Sequence, residues 1–186
     1  MPLCKTQCAL RARSGVLEAQ LLDPQRHDRQ AFTSGVDALD EYLHRFAVQH
    51  ARKGIAVVRV LVDTDMPETI LGYYSLSAAQ IDAVQMDAPT RQKLPRYPVP
   101  CFRLGRLAVH SAHQGVGLGR LLMGCAVEHC FEARKTVAAY ALVVDAKGEN
   151  AGALYRHYGF VPCRDNPMTL YLSLGANLSM NEIRSG

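Results

Sequence analysis

Between Val36 and His50 the positions Val36, Leu39, Leu43, Phe46, Ala47 and His50 each have a neighbour in the set three or four residues away. That is the period of a helix with one face turned to a core. Gly54 after Lys53 stops it. Elsewhere the pattern changes. VLEAQLL at 16–22 reads as a strand, and IAVVRVLVD at 55–63 reads as another, rich in β-branched residues. ETILGYYSLSAAQI at 68–81 is its hairpin partner, with Met66 and Pro67 near the turn. DPQRHDRQAFTSG is a loop punctuated by Pro24 and Gly35. Pro89, Pro95, Pro98 and Pro100 leave room for at most one short helix from Asp87 to Pro100. CFRLGRLAVH at 101–110 reads as a central strand. GLGRLLMGCAVEHCFEARK at 117–135 reads as a helix, with Leu121, Leu122, Cys125, Val127 and Phe131 on its apolar side. VAAYALVVDA at 137–146 is an apolar strand, GENAGALYRHYG at 148–159 a short helix ended by glycine, and FVPC and MTLYLSL at 168–174 are closing strands.

The order is β-α-β-β-β-α-β-α-β-β, a mixed α/β chain. Residues 1–13 read as a disordered basic tail and 176–186 as a polar tail. That leaves 14–175 as one domain, which suits a chain of 186 residues.

Composition adds limits. Hydrophobic residues make up 48% and charged residues 20%, as in a soluble globular protein with a real core. No apolar run can cross a bilayer, and the start lacks the apolar core of a secretory signal, so the cytoplasm is expected. The six cysteines, Cys4, Cys8, Cys101, Cys125, Cys130 and Cys163, form no CxxC pair, and the chain is too large to need staples. They read as free thiols. Cys4 and Cys8 with a histidine are the one grouping that invites a metal, and none is expected. Charge is uneven. No acidic residue lies between Asp87 and Glu128, where Arg91, Lys93, Arg96, Arg103, Arg106 and Arg120 stand. Those six cations exceed the net charge of +4, so the rest of the chain is net acidic. Such a stretch is either a solvated basic face or an anion-binding surface for phosphates or nucleic acid.

RLAVHSAHQGVGLGRLL at 106–122 sets Gly115, Gly117 and Gly119 at the mouth of a helix. A glycine inside a helix costs about 1 kcal/mol against alanine, so a return is needed, and close approach of backbone to a ligand supplies one. A P-loop needs Gly-Lys-Ser/Thr, which is absent, and a dinucleotide fingerprint needs a third glycine where Arg120 stands. The remaining pattern is Q-x-x-G-x-G, carried by Gln114, Gly117 and Gly119, with an apolar strand before and a helix after. Backbone N–H groups at a helix start form a concave anion site, and glycines let a pyrophosphate descend onto them.

This loop resembles the acetyl-coenzyme A loop of the GNAT acetyltransferases. ENAGALYRHYGF at 149–160 is similar to that family's N-x-x-A-x-x-x-Y-x-x-x-G-F segment, with a shifted alanine and with Asn150, Tyr155, Gly159 and Phe160 in order. The resemblance implies the GNAT fold, a mixed central sheet flanked by helices. It also implies acetyl-CoA as co-substrate with no metal, held by Leu107, Ala108, Val109, Gln114, Gly115, Val116, Gly117, Leu118, Gly119, Arg120 and Asn150. Tyr155 would then lie near the cofactor sulfur as general acid.

FTSGVDALDEYLHRFA at 32–47, GYYSLS at 72–77, PVPCFRLGRLAV at 98–109 and the terminal MTLYLSL resemble the GNAT toxins of bacterial toxin–antitoxin modules, over about residues 16 to 174. Those toxins acetylate the amino group of aminoacyl-tRNA and stop translation. The resemblance implies a ribbon-helix-helix antitoxin and a homodimer as partners. It also implies tRNA contacts through Arg91, Lys93, Arg96, Arg103 and Arg106. Two positions depart from the pattern. His110 stands where such toxins commonly carry aspartate, and Leu154 stands where an aromatic is common. Neither removes a group the chemistry needs, but both bear on substrate preference.

Acetyl transfer to an amine needs a neutral amine, a stabilised oxyanion and a stabilised leaving thiolate. An α-amino group has a pKa of about 7.7–8.0, so a fair fraction is already neutral and a strong base is dispensable. A backbone N–H near Val109 serves the thioester carbonyl, and Tyr155 serves the sulfur. His110, His113 and His157 are possible proton shuttles. Rival readings are acetylation of a small-molecule or protein amine, and a non-catalytic binding module.

Overall fold

The computed structural model describes Leu10–Arg11 and residues 15–175. Contacts divide the chain into two units: the segment up to Leu76 with Arg106–Ala126, and Ser77–Gly105 with the segment from Val127. The strands are β1 (Leu10–Arg11), β2 (Val16–Leu21), β3 (Val57–Asp63), β4 (Gly72–Ile81), β5 (Val99–Val109), β6 (Ala141–Asp145), β7 (Val161–Pro162) and β8 (Thr169–Ser173). The helices are α1 (Asp37–Glu41), α2 (Ala47–Arg52), α3 (Ala88–Arg91), α4 (Leu118–Ala133) and α5 (Glu149–His157). The chain passes between units within β4, β5 and α4.

In the first unit β1, β2, β3 and β4 pair antiparallel in that order, with Val58 opposite Ser75 and Val60 opposite Tyr73. Val58, Val60 and Val62 alternate along β3 and bury one face with Phe32, Tyr42, Leu43, Ala47, Ile70, Tyr73 and Ala108. Such alternation lets a strand carry one core face. The helix expected from Val36 is present, with one difference. Tyr42–Phe46 between α1 and α2 is a π turn. Across it Tyr42, Leu43 and Ala47 are buried while Phe46 faces solvent, and Val36, the extended N-cap of α1, is exposed as well. Arg29 donates to the Leu43 and His44 carbonyls at 3.3 and 2.7 Å, satisfying groups that the turn exposes.

In the second unit β5 and β6 pair parallel, Cys101 with Ala141 and Leu104 with Val144. β6–β8 and β8–β7 are antiparallel. Ile81, Met86, Val99, Cys101, Val143, Cys163 and Tyr171 form its core. The parallel pair needs a crossover, and α4 is that helix. Among the described residues Cys101, Cys125, Cys130 and Cys163 are buried and form no disulfide. Burial pushes the Cys101 and Cys163 thiols up to about 11 and Cys130 to about 12, so they are inert packing groups.

Of the segment 1–13, Leu10 and Arg11 pair with Leu17 and Val16 as a short strand and so are not tail. The rest of it, with Cys4 and Cys8, and residues 176–186 lie outside the described residues. Among the described residues no helix is long and apolar enough to cross a membrane.

Candidate active site

The glycine loop belongs wholly to the first unit. β5 ends at Val109, and the next two residues are held by backbone bonds, His110 N–H to Leu71 at 2.9 Å and Ser111 N–H to Thr33 at 2.7 Å. A short 3-10 turn, Ser111–His113, comes next, with the His110 Nδ1 accepting from the Ala112 N–H at 3.1 Å. The His110 ring packs edge-on against Phe32 at 5.6 Å. With Nδ1 engaged and the ring fixed, His110 shapes the turn. His113 lies beside it at 5.7 Å between ring centres.

Gln114 then reaches back. Its side-chain amide donates to the Ser34 carbonyl at 2.8 Å and the Val109 carbonyl at 3.1 Å. This staple ties the loop to the strand end, a structural duty beyond the cofactor contact expected from the sequence. Gly115 and Gly117 have φ of +77° and +89°, the left-handed region that other L-residues avoid. Two of the three glycines are therefore demanded by the backbone itself. Gly119 is different. Its φ is ordinary, and a methyl there would meet only Val109 Cγ2, at 3.8 Å. Nothing inside the protein requires that glycine.

α4 begins as the Leu121 N–H bonds to the Gly117 carbonyl at 3.1 Å. The N–H groups of Leu118 and Gly119 precede that first bond, where a helix start offers no acceptor of its own. Residues 111–117, Val116 included, are exposed. There is no carboxylate in the first turn of α4. This is an exposed, electropositive helix start behind a glycine loop, the arrangement that binds phosphate. Of the strand residues expected to hold a cofactor, Leu107 and Val109 are half-buried, whereas Ala108 is buried with its methyl in the core. Ala108 can serve only through its backbone.

The second unit carries Tyr155. Gly148, with φ of +103°, leads into α5, and the Gly148 carbonyl accepts the Gly152 N–H at 3.0 Å. Asn150 is exposed in the first turn. Tyr155 is half-buried, its ring 5.5 Å from that of Phe160, and its carbonyl receives the Phe160 N–H at 3.1 Å where the helix ends. Burial first, and the Asp145 carboxylate second, hold its phenol above the usual tyrosine pKa. His157 is exposed and lies edge-on to Tyr158.

Asp145 closes β6 and anchors a polar network that sequence reasoning did not assemble. Arg103 forms an ion pair with it, and the Thr169 hydroxyl donates to it at 2.8 Å. Register held the signal. Arg103 pairs with Val143 in the parallel ladder, and Asp145 two residues on shares that face. A pocket of about 170 Å³ opens beside the network, lined among others by Gln80, Gln85, Arg103, Cys163 and Thr169. Glu149 is paired with Arg156 at 3.4 Å.

The basic residues separate into two groups. The Arg103 charge is matched by Asp145, and Arg106 lies over the Tyr42 ring at 3.9 Å. Arg91, Lys93 and Arg96 are exposed, and among the described residues none of the three is in an ion pair. Arg120 is half-buried at the start of α4.

A strand, a left-handed glycine loop, a helix, a parallel strand and a tyrosine-bearing helix define an acyl-CoA-dependent N-acetyltransferase. Residues 58–162 match the family described as the acetyltransferase (GNAT) domain, and the chain belongs to that family. A tRNA-acetylating toxin of Mycobacterium tuberculosis is 32% identical over 145 residues, 78% of this chain and 85% of the relative. The structure of AtaT complexed with acetyl-methionyl-tRNAfMet aligns with a TM-score of 0.79 at 28% identity, covering 84% of this chain and 94% of that one. A tyrosine-to-phenylalanine mutant of the toxin AtaT, bound to the C-terminus of the antitoxin AtaR and acetyl-CoA, aligns with a TM-score of 0.72 at 26% identity, covering 90% and 96%.

Proposed function

We propose that this protein moves the acetyl group of acetyl-CoA to the α-amino group of aminoacyl-tRNA, and so acts in the cytoplasm as the translation-blocking toxin of a toxin–antitoxin pair. One observation carries the reading: the likeness to a tRNA-acetylating toxin runs through 78% of the chain, well beyond the glycine loop common to GNAT enzymes. We propose further that its partners are a ribbon-helix-helix antitoxin and a second copy of the chain; what supports an antitoxin is the likeness to AtaT, solved bound to the antitoxin AtaR.

The residues fit the co-substrate. Gly115 and Gly117 turn the loop, and Gly119, with no internal reason to lack a side chain, leaves the start of α4 open to a pyrophosphate. Gln114 keeps the loop stapled to the end of β5. Arg120 and Asn150 supply further polar contacts. The thioester of acetyl-CoA supplies an activated acetyl group. The Val109 N–H at the end of β5 donates to the carbonyl oxygen as negative charge gathers there.

Tyr155 acts on the departing thiolate by donating a hydrogen bond. Unperturbed, a tyrosine at about 10 lies about 1.5 units above a thiol at about 8.5, so complete proton transfer is uphill by roughly 2 kcal/mol. Burial and Asp145 raise the Tyr155 phenol further, which favours donation without transfer. No strong base is needed. The α-amine is partly neutral at pH 7, with its pKa of about 7.7–8.0. The two carboxylates near Tyr155 in sequence are engaged, Asp145 by Arg103 and Thr169 and Glu149 by Arg156.

The test is to incubate the protein with radiolabelled acetyl-CoA and charged or uncharged tRNA. Label is expected only in the charged tRNA, at the amino acid. Ready acetylation of polyamines or peptides, with charged tRNA unlabelled, would move the substrate to a small-molecule or protein amine.

A further inference from the structure

The segment between β4 and β5 is pinned along its inner side. Met86 and Val99 are fully buried in the core, and Leu94 packs against it. Asp87 caps α3 by accepting the Thr90 N–H at 3.4 Å, and it accepts a second hydrogen bond from the Tyr171 hydroxyl of β8. The Asp87 carboxylate, the last acid before the basic run, is therefore turned to structural work. On the outer side stand Arg91, Lys93, Arg96 and Tyr97. Tyr97 is 66% exposed, more than any other tyrosine or phenylalanine among the described residues. Pro95 and Pro98 bracket Arg96 and Tyr97 and restrict the backbone there. An aromatic ring is thus left in water on a stiffened loop, among three cations that form no ion pair among the described residues, in a stretch of sequence without acids.

We infer that Tyr97 is a stacking platform for an unpaired nucleotide at the 3′ end of tRNA, with Arg91, Lys93 and Arg96 holding the flanking phosphates. The inference rests on the tRNA reading above. Its chemistry is specific. In a duplex the base faces are stacked on one another and closed to the ring, whereas single-stranded ends offer them. Cations alone would bind paired and unpaired RNA alike. A ring set among them adds attraction only for a base with an open face, and does so with little regard to sequence.

The test compares intact uncharged tRNA with the same tRNA trimmed of its unpaired 3′ nucleotides. Tyr97→Ala is expected to weaken binding of the intact tRNA about tenfold, within the range for one base on one ring, and to leave trimmed tRNA within twofold. Tyr97→Phe should bind as wild type does. Because Tyr97 carries no charge, Tyr97→Ala should keep the slope of log affinity against log salt, whereas Arg91→Gln with Lys93→Gln should flatten it by about 0.7 for each cation lost on a single strand. The chain contains no tryptophan, so Tyr97→Trp installs a single reporter whose emission should fall on saturation with intact tRNA and not with trimmed tRNA.

Equal binding of intact tRNA by wild type and Tyr97→Ala overturns the inference, as does an equal loss on both RNAs. Unchanged tRNA binding with weakened binding of an antitoxin peptide overturns it in favour of a protein partner. If wild-type protein fails to acetylate charged tRNA, the substrate reading falls first. If it acetylates tRNA while Tyr97→Ala binds normally, only the stacking assignment falls.

Discussion

Gly72 begins β4 beside the end of β5, and a single methyl there should disturb both the fold and the glycine loop. A Cβ at this position would lie 2.6 Å from Leu122 Cδ1, 2.9 Å from the Ala108 carbonyl oxygen and 3.5 Å from Val109 Cα. The φ of Gly72 is not in the left-handed region, so alanine suffers no backbone strain. It also restricts the unfolded chain, which favours folding by about 0.4–1 kcal/mol. Against this stands overpacking in a closed core, about 1–3 kcal/mol. Because the Ala108 carbonyl is backbone and cannot swing aside, the upper half of that range applies, and the net loss is about 1–2 kcal/mol. For a domain of this size each kcal/mol moves Tm by about 2–4 °C, so Gly72→Ala should lower it by about 2–8 °C. Leu122 is the end of a side chain and the Ala108 oxygen is backbone, and the two can be separated. In a Leu122→Ala background the methyl enters vacated space, and only the clash with the carbonyl remains. We expect most of the penalty to persist there, because relieving it means moving the end of β5. Val109 accepts from Gln114 at that end, so acetyl-CoA affinity should fall too, by about tenfold, equivalent to ~1.4 kcal/mol. Thermal melts and calorimetric titration with acetyl-CoA measure both. A Gly72→Ala protein as stable as wild type, with unchanged affinity, would refute the claim that this close approach positions the loop.

Two further outcomes are expected. Tyr155→Phe keeps the ring against Phe160 and removes only the hydroxyl; turnover at saturating substrates should drop by about 10²–10⁴, the range for a positioned acid, with acetyl-CoA affinity little changed, and turnover within threefold of wild type would make Tyr155 a packing residue. Hydrogen bonds from Thr90 and then Tyr171 hold the Asp87 carboxyl below the usual carboxylate range, so its contribution is present above about pH 4 and is lost as pH falls through the folded value; denaturant midpoints measured down the acid limb should fall less steeply for Asp87→Asn, and coincident slopes would count against the Tyr171 latch.

Much of this molecule was legible in the chain because its signals are local. Alternation along β3, the proline-rich break before β5 and the glycine loop opening α4 each depend on neighbours in sequence, and each element falls within a few residues of its expected bounds. The π turn at Tyr42–Phe46 was not legible. It is stabilised by Arg29, from a distant loop, so the helical period placed Phe46 inward where the structure exposes it. Gln114 was legible as a motif residue but not as a staple, since its acceptors Ser34 and Val109 are brought to it by the fold.

Charge shows most clearly what sequence can and cannot determine. Counting residues marks Arg91, Lys93, Arg96, Arg103, Arg106 and Arg120 as one basic stretch, because acids are missing between Asp87 and Glu128. Partners decide which of them can meet a substrate. The parallel register carries Asp145 to Arg103, across 42 positions of sequence, and a guanidinium already paired has less to offer a phosphate. Arg106 is stacked on Tyr42 and would have to leave the ring to reach an anion. Arg120 stands at the start of α4, in the loop proposed for the cofactor, which leaves the segment with Arg91, Lys93 and Arg96, whose inner side is pinned by Leu94 and by the Asp87–Tyr171 latch. A basic surface for tRNA is therefore expected there, and charge reversal at Arg91 and Lys93 should weaken acetylation of charged tRNA more than the same change at Arg103. Arg103→Glu would set two carboxylates together beside Tyr155, so a loss there would also appear as reduced stability, and thermal melts separate the two effects.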